Sequence, residues 1–208
     1  IIVIGFALLG LVDDLIGNKD SQGFKGHILS LLKGNITTGS LKLFGGPIIC
    51  FIALSPSIDG LGYVAIIQYI VAISLIANLV NLFDLAPGRS LKVSGLAIMI
   101  CVGITSTYEW QFAVIGILLI LLILDLKELM MLGDIGSNMI GALVGFSIVN
   151  LCTVNQTYIV LCVALALNLL SEFVSFSKII NGFTPLRYLD TLGQTKERKA
   201  WLKEKLNK

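Results

Sequence analysis

The chain has 208 residues, of which 56% are hydrophobic and 13% charged, and its mean hydropathy is +0.92. So apolar a composition excludes a water-soluble globular surface and predicts an all-α, polytopic membrane helix bundle. Fifteen Lys and Arg against thirteen Asp and Glu leave a net charge of +2, which excludes the strongly basic field of a nucleic-acid-binding protein.

Ile1 opens an apolar run that continues to Val12, so the chain is expected to be a fragment whose upstream helices are missing. No basic leader or small-residue cleavage site precedes the first charges, and this run is not read as a signal peptide. Charge-free runs mark the spans, because a charge at mid-bilayer costs roughly 2.5 kcal/mol or more. They fall at 1–12, 43–58, 60–83, 93–108, 110–124 and 135–171. The last is too long for one crossing and is divided by the polar stretch 150–157, so about seven spans are expected. Within residues 22–34, Phe24, Ile28 and Leu31 recur at helical spacing beside Lys25, His27 and Lys33. That pattern suits a short interfacial helix or a plain loop. Cys50, Cys101, Cys152 and Cys162 lie in or beside apolar runs with no close pair, which argues against a zinc site or a disulfide framework.

Basic residues concentrate on the cytoplasmic side of membrane proteins, which tests this span count. Alternating the loops places Lys19, Lys25, Lys33, Lys42, Arg89, Lys92, Lys127 and the eight cations from Lys178 onward on one side. The opposite loops hold only Asp59 and Glu109 as charges. A single membrane domain over 1–208 with a basic cytoplasmic tail at 177–208 follows.

Three constellations carry chemistry. Asp13 and Asp14 end the first span, where the helix dipole disfavours anions, and a bound cation would remove the conflict; the pair also suits a plain water boundary. Asn78, Asn81 and Asp84, at i, i+3 and i+6, form a polar stripe on an apolar helix, for a ligand or for contact between helices. The turn that follows it, Pro87-Gly88-Arg89-Ser-Leu-Lys92, presents two cations, which suit a diphosphate or simply the positive side of the membrane. The third is Gly133-Asp134-Ile-Gly136-Ser137-Asn138. A glycine-bearing turn entering a helix offers free backbone N–H groups to phosphate oxygens, and Asp134 beside them suits Mg²⁺, though an ordinary helix cap would look the same. Asp13, Asp14, Asp84 and Asp134 are expected to converge on one face, where a divalent cation and a phosphorylated substrate would hold four acids together. Asp125 and Glu128 border that face as loop residues or as neighbours of the site.

The ordered set resembles the polyprenyl-phosphate N-acetylhexosamine-1-phosphate transferase superfamily, which includes phospho-N-acetylmuramoyl-pentapeptide transferase. Members share an Asp-Asp pair after an early span, an Asn-x-x-Asn-x-x-Asp stripe with a Gly-rich loop, and a Gly-Asp-x-Gly-Ser turn. The resemblance implies that Asp134 is the principal Mg²⁺ ligand, that Asp13 and Asp14 activate the acceptor, and that Asn78, Asn81 and Asp84 form the donor-side shell, with Arg89, Lys92, Gly136 and Ser137 on the substrate. It implies a UDP-sugar donor, a polyprenyl phosphate acceptor in membrane lipid, and a bacterial plasma-membrane enzyme of cell-envelope synthesis with its active face cytoplasmic; it leaves room for a homodimer. Two positions depart from the pattern. Asp84-Leu-Ala-Pro87-Gly88 lacks the loop's second acid, and Thr184-Pro185-Leu186 leads into Arg187-Tyr-Leu-Asp190 instead of a histidine cluster.

Two rival readings remain. A transporter or ion-coupled carrier would place its acids near the midplane in broken helices, whereas these lie at span ends. A non-catalytic relative of the transferases would explain the missing acid and histidines.

Overall fold

The computed structural model describes residues 1–16, 30, 33–34, 37–57, 60–105 and 110–206. The segment 22–34, read above as an interfacial helix or loop, lies largely outside them, as does His27.

Among the described residues every regular element is helical. Each apolar run forms a helix: α1 (Ile2–Ile16), α2 (Thr38–Leu54), α3 (Tyr63–Phe83), α4 (Arg89–Thr105), α5 (Gln111–Leu126), α6 (Gly133–Leu151) and α7 (Val154–Phe173). The tail adds α8 (Phe176–Gly182), α9 (Thr184–Thr191) and α10 (Lys196–Leu206). The long run 135–171 breaks within the polar stretch expected to divide it. Thr153 Oγ1 accepts the Gln156 N–H at 3.4 Å while Gln156 Oε1 accepts the Thr153 N–H at 2.8 Å, a reciprocal cap that starts α7. Thr37 and Ser40 start α2 in the same way.

Three of these helices, α3, α6 and α7, are long and apolar enough to cross a membrane. The other four have 15 to 17 residues. At 1.5 Å per residue that is about 23–26 Å, short of a hydrocarbon core of about 30 Å.

α6 is the central helix. It packs against α1 and α3, with α4 also touching it, while α7 lies on the outer side of α3. Buried residues cover 67% of the apolar stretch of α6 but only 11% of that of α7. One apolar cluster joins α6 to α3, α4 and α5 through Ile76, Ile98, Leu118 and Val144. A second joins it to α1, α2 and α3 through Phe6, Cys50, Ile73 and Val149. A helix buried on all sides needs close neighbours, and glycine supplies the room. A Cβ on Gly141 would stand 2.6 Å from Ala77 Cα of α3, and one on Gly10 of α1 would collide with the backbone carbonyl of Asp134. Gly10 thereby seats the end of α1 against the start of α6. The four cysteines are free, and only Cys162 is exposed.

Candidate functional site at the ends of three helices

The close approach at Gly10 carries Asp13 and Asp14 to the first turn of α6. Asp14 Oδ1 accepts the Asp134 N–H at 3.3 Å and Asp14 Oδ2 accepts the Ile135 N–H at 3.2 Å. An anion that is badly placed at the end of its own helix is thus well placed at the positive end of another. The Gly136 N–H bonds the Leu132 carbonyl at 3.0 Å. This corrects the expectation of backbone N–H groups open to phosphate at 134–136. The nearest anion to that helix end belongs to the chain itself.

The remaining carboxylates are also met internally. Lys42 Nζ, one turn into α2, pairs with Asp13 and reaches Asp134 Oδ2 at 3.0 Å. The cation that two acids at a helix end called for is therefore present as a side chain. The three groups keep 18–32% of their side-chain surface exposed, so the cluster opens to solvent on one side.

Asn81 connects this cluster to α3. Its Oδ1 accepts the Ser137 hydroxyl at 2.8 Å, and Asn138 Nδ2 donates to the Asp134 carbonyl at 2.6 Å, which fixes the turn bearing Asp134. Asn78 points elsewhere: its Nδ2 donates to Asn168 Oδ1 at 2.7 Å, and Asn168 in turn donates to the carbonyls of Leu75 and Ala164. Asn78 is a polar tie between α3 and α7, the contact between helices that was one of the two expectations for this stripe.

Asp84 belongs to a second cluster. Its Oδ1 accepts the Ser90 hydroxyl at 2.7 Å. Burial pushes its carboxyl above the usual carboxylate range, the Ser90 hydroxyl opposes that rise, and the nearby charge of Asp125 adds to it. Asp125 is buried and its Oδ2 accepts the Gly88 N–H at 2.7 Å, so it holds the Pro87-Gly88 turn and is not a solvated loop residue. The expected convergence of four acids becomes two acids on Lys42, Asp13 and Asp134, with Asp14 on the α6 backbone beside them and Asp84 held apart.

The loop cations are engaged as well. Arg89 makes a two-pronged pair with Asp190 of α9, Nε to Oδ1 at 2.7 Å and a terminal nitrogen to Oδ2 at 2.9 Å, and its other terminal nitrogen donates to Ser177 Oγ at 2.7 Å. Lys92 Nζ donates to the carbonyls of Leu189, Asp190 and Leu192, capping the end of α9. Both cations expected to face a diphosphate are bound by the tail in this structure. Stacking of Phe83 on Phe176, centroids 4.5 Å apart, fastens the same junction.

Sequence reasoning missed Lys42, Asn168 and Asp190 as partners. For Lys42 a signal existed, since two acids at a helix C-terminus demand a cation and Lys42 is the last one before the next apolar run. Nothing in the sequence marks Asp190, one of several charges in a basic tail.

Mg²⁺ ordinarily takes one or two protein carboxylates and completes its octahedron with water and phosphate oxygens. Asp13 and Asp134, drawn to one ammonium from two different helices, are two such carboxylates, and Lys42 Nζ occupies the position between them. No group of three or more His, Cys, Asp or Glu that could hold a metal gathers among the described residues.

Compared with protein-family models, curated proteins and solved structures, the chain finds no match.

Proposed function

We propose that the protein is a membrane-embedded, Mg²⁺-dependent phospho-sugar transferase that moves a sugar-1-phosphate from a UDP-sugar to undecaprenyl phosphate and releases UMP. The observation that supports this reading is that α1 and α6 meet end to end there, with Asp13 and Asp134 sharing the half-buried Lys42 and Asp14 on the first N–H groups of α6. Acids held together in this way suit a reaction in which negative charge builds on phosphate.

An oxygen of the lipid phosphate bonds to the β-phosphorus of the donor as the bond from that phosphorus to the bridging oxygen breaks, and UMP leaves with the bridging oxygen. Both oxygens of Asp14 accept backbone N–H groups, so its part is to hold the turn that positions Asp134. Asp13, released from Lys42 when the metal binds, would accept the proton of the lipid phosphate or position it. Held by Asp134 and Asp13, Mg²⁺ would neutralise the donor diphosphate. Asn81 adjoins the cluster, held by the buried Ser137 hydroxyl. Seven crossings, a bacterial plasma membrane and a cytoplasmic active face belong to the same reading, which the one-sided distribution of Lys and Arg supports.

The test is UMP release by membranes carrying the protein, supplied with undecaprenyl phosphate and a panel of UDP-sugars. One donor should yield UMP, and Asp134→Asn should remove at least about nine-tenths of it, a barrier change of roughly 1.4 kcal/mol or more. Release from no donor would sink the transferase reading. The engagement of Arg89 and Lys92 by the tail favours one alternative, a relative that retains the acids without transferring sugar, and that outcome is the one it expects.

A further inference from the structure

Helix α9 is turned inside out. A helix on a water-soluble surface buries its apolar stripe and exposes its polar one. In α9 and the turn after it, Asp190 and Gln194 are buried, on Arg89 and on the Pro87 carbonyl, and Arg187 and Thr191 lie beside them, so the polar set at i, i+3, i+4 and i+7 faces the protein. Phe183, Leu186, Leu189 and Leu192, each three residues from the last, face outward with 39–57% of their surface exposed, and Tyr188 joins them.

Two further observations say what meets this face. Only Val174 and Ser175 separate α7, whose apolar surface is exposed as far as Phe173, from α8, and Phe183 alone separates α8 from α9. The outward residues of α9 therefore follow within two short connections on a helix apolar enough to cross a membrane, and the Arg89–Asp190 pair ties α9 to α4. Next in the chain, α10 carries Lys196, Arg198, Lys199, Lys203 and Lys205 against Glu197 and Glu204, with Trp201 exposed among them. Cations and an interfacial aromatic beside an apolar face complement a negatively charged lipid headgroup layer.

We propose that α9 and α10 form a docking surface for anionic lipid of the membrane that α7 enters, with the side chains of 183, 186, 189 and 192 in the interfacial layer and Lys196, Lys199 and Lys203 of α10 on the headgroups. The proposal rests on the membrane part of the reading above and not on its chemistry, and its test does not depend on UMP release.

The chain holds two tryptophans, Trp110 and Trp201. Replacing both by Phe and introducing Leu189→Trp leaves one reporter on the outward face. In nanodiscs of brominated phosphatidylcholine containing anionic phosphatidylglycerol, emission should be quenched at least about twofold more than in discs of brominated phosphatidylcholine alone, and salt at about 0.5 M should abolish the difference. Lys196→Gln, Lys199→Gln and Lys203→Gln together should reduce quenching to the zwitterionic level. No quenching by either lipid, with a second copy or water covering the face instead, would overturn the proposal. Equal quenching in both lipids would overturn its anionic part. Amide exchange of the unaltered protein provides a check free of substitutions: residues 184–192 should exchange more slowly in anionic discs than in detergent, and equal rates would again overturn it.

Discussion

Asp14 and Asp134, 120 residues apart, are joined because the carboxylate of the first accepts the backbone N–H of the second. The last turn of α1 thus caps the first turn of α6, and a residue read from sequence as chemical is also structural. Asp14→Ala should lower stability by about 1 kcal/mol, as loss of a helix N-cap does, and Asp14→Asn by less. Thermal unfolding in detergent measures both, and an unchanged midpoint for the alanine variant would restrict Asp14 to chemistry.

Lys42 stands where Mg²⁺ would bind, so ammonium and metal should compete for Asp13 and Asp134. In Lys42→Ala the two half-buried carboxylates lose their cation, and the protein should become less stable without Mg²⁺. Adding Mg²⁺ should then stabilise the variant more than the native protein, by about 1.4 kcal/mol at ten times the dissociation constant. Equal shifts of unfolding midpoint in both proteins would show that these acids do not bind the metal.

Both members of the Arg89–Asp190 pair are 5% exposed. Removal of one partner from a buried pair leaves a stranded charge at a cost of about 3–5 kcal/mol, whereas replacing both by apolar residues is often neutral. Arg89→Met should release α8 and α9 and speed limited proteolysis within 174–194. The double variant Arg89→Met, Asp190→Leu should regain much of the resistance. Equal cleavage of the native protein and the single variant would mean that the pair does not hold the tail.

Gly10 and Gly95 separate close packing from helix propensity. Gly10→Ala pushes a methyl group into the Asp134 backbone, and overpacking of this kind costs about 1–3 kcal/mol. At Gly95 nothing lies within 4 Å of an added Cβ, and alanine there should be neutral or stabilising by up to about 1 kcal/mol. Chemical denaturation of the two variants should give opposite signs, and a destabilised Gly95→Ala would contradict the spacing of α4.

The charge distribution makes its own prediction about sidedness. Reporter fusions after Ser57, Thr107 and Thr153 should lie outside the cell, and fusions after Lys42, Lys92 and Lys208 inside. A cytoplasmic signal at any of the first three would overturn the count of seven crossings, the number that helices of 15 to 17 residues leave open to experiment.

Hydropathy and charge are local properties, and what depends on them was legible residue by residue. Every charge-free run became a helix, the 37-residue run broke inside its polar stretch, and Asp13, Asp14 and Asp134 were marked by being charges at the ends of apolar spans. The partner of a charge is not a local property. Asp13 finds Lys42 at a separation of 29 residues, Arg89 finds Asp190 at 101, and Asp14 finds the α6 backbone at 120. Which of these meet is set by where helices cross, and the crossings are set by packing: Gly10 and Gly141 admit the backbones of α6 and α3 where any side chain would hold them off. Helical spacing placed Asn78, Asn81 and Asp84 on one stripe, but three neighbours at three heights, α7, α6 and the first turn of α4, sent each to a different partner. The sequence alone therefore determined the helices and the acids at their ends, while only the tertiary structure decided which acids share a cation and which cations the tail has already taken.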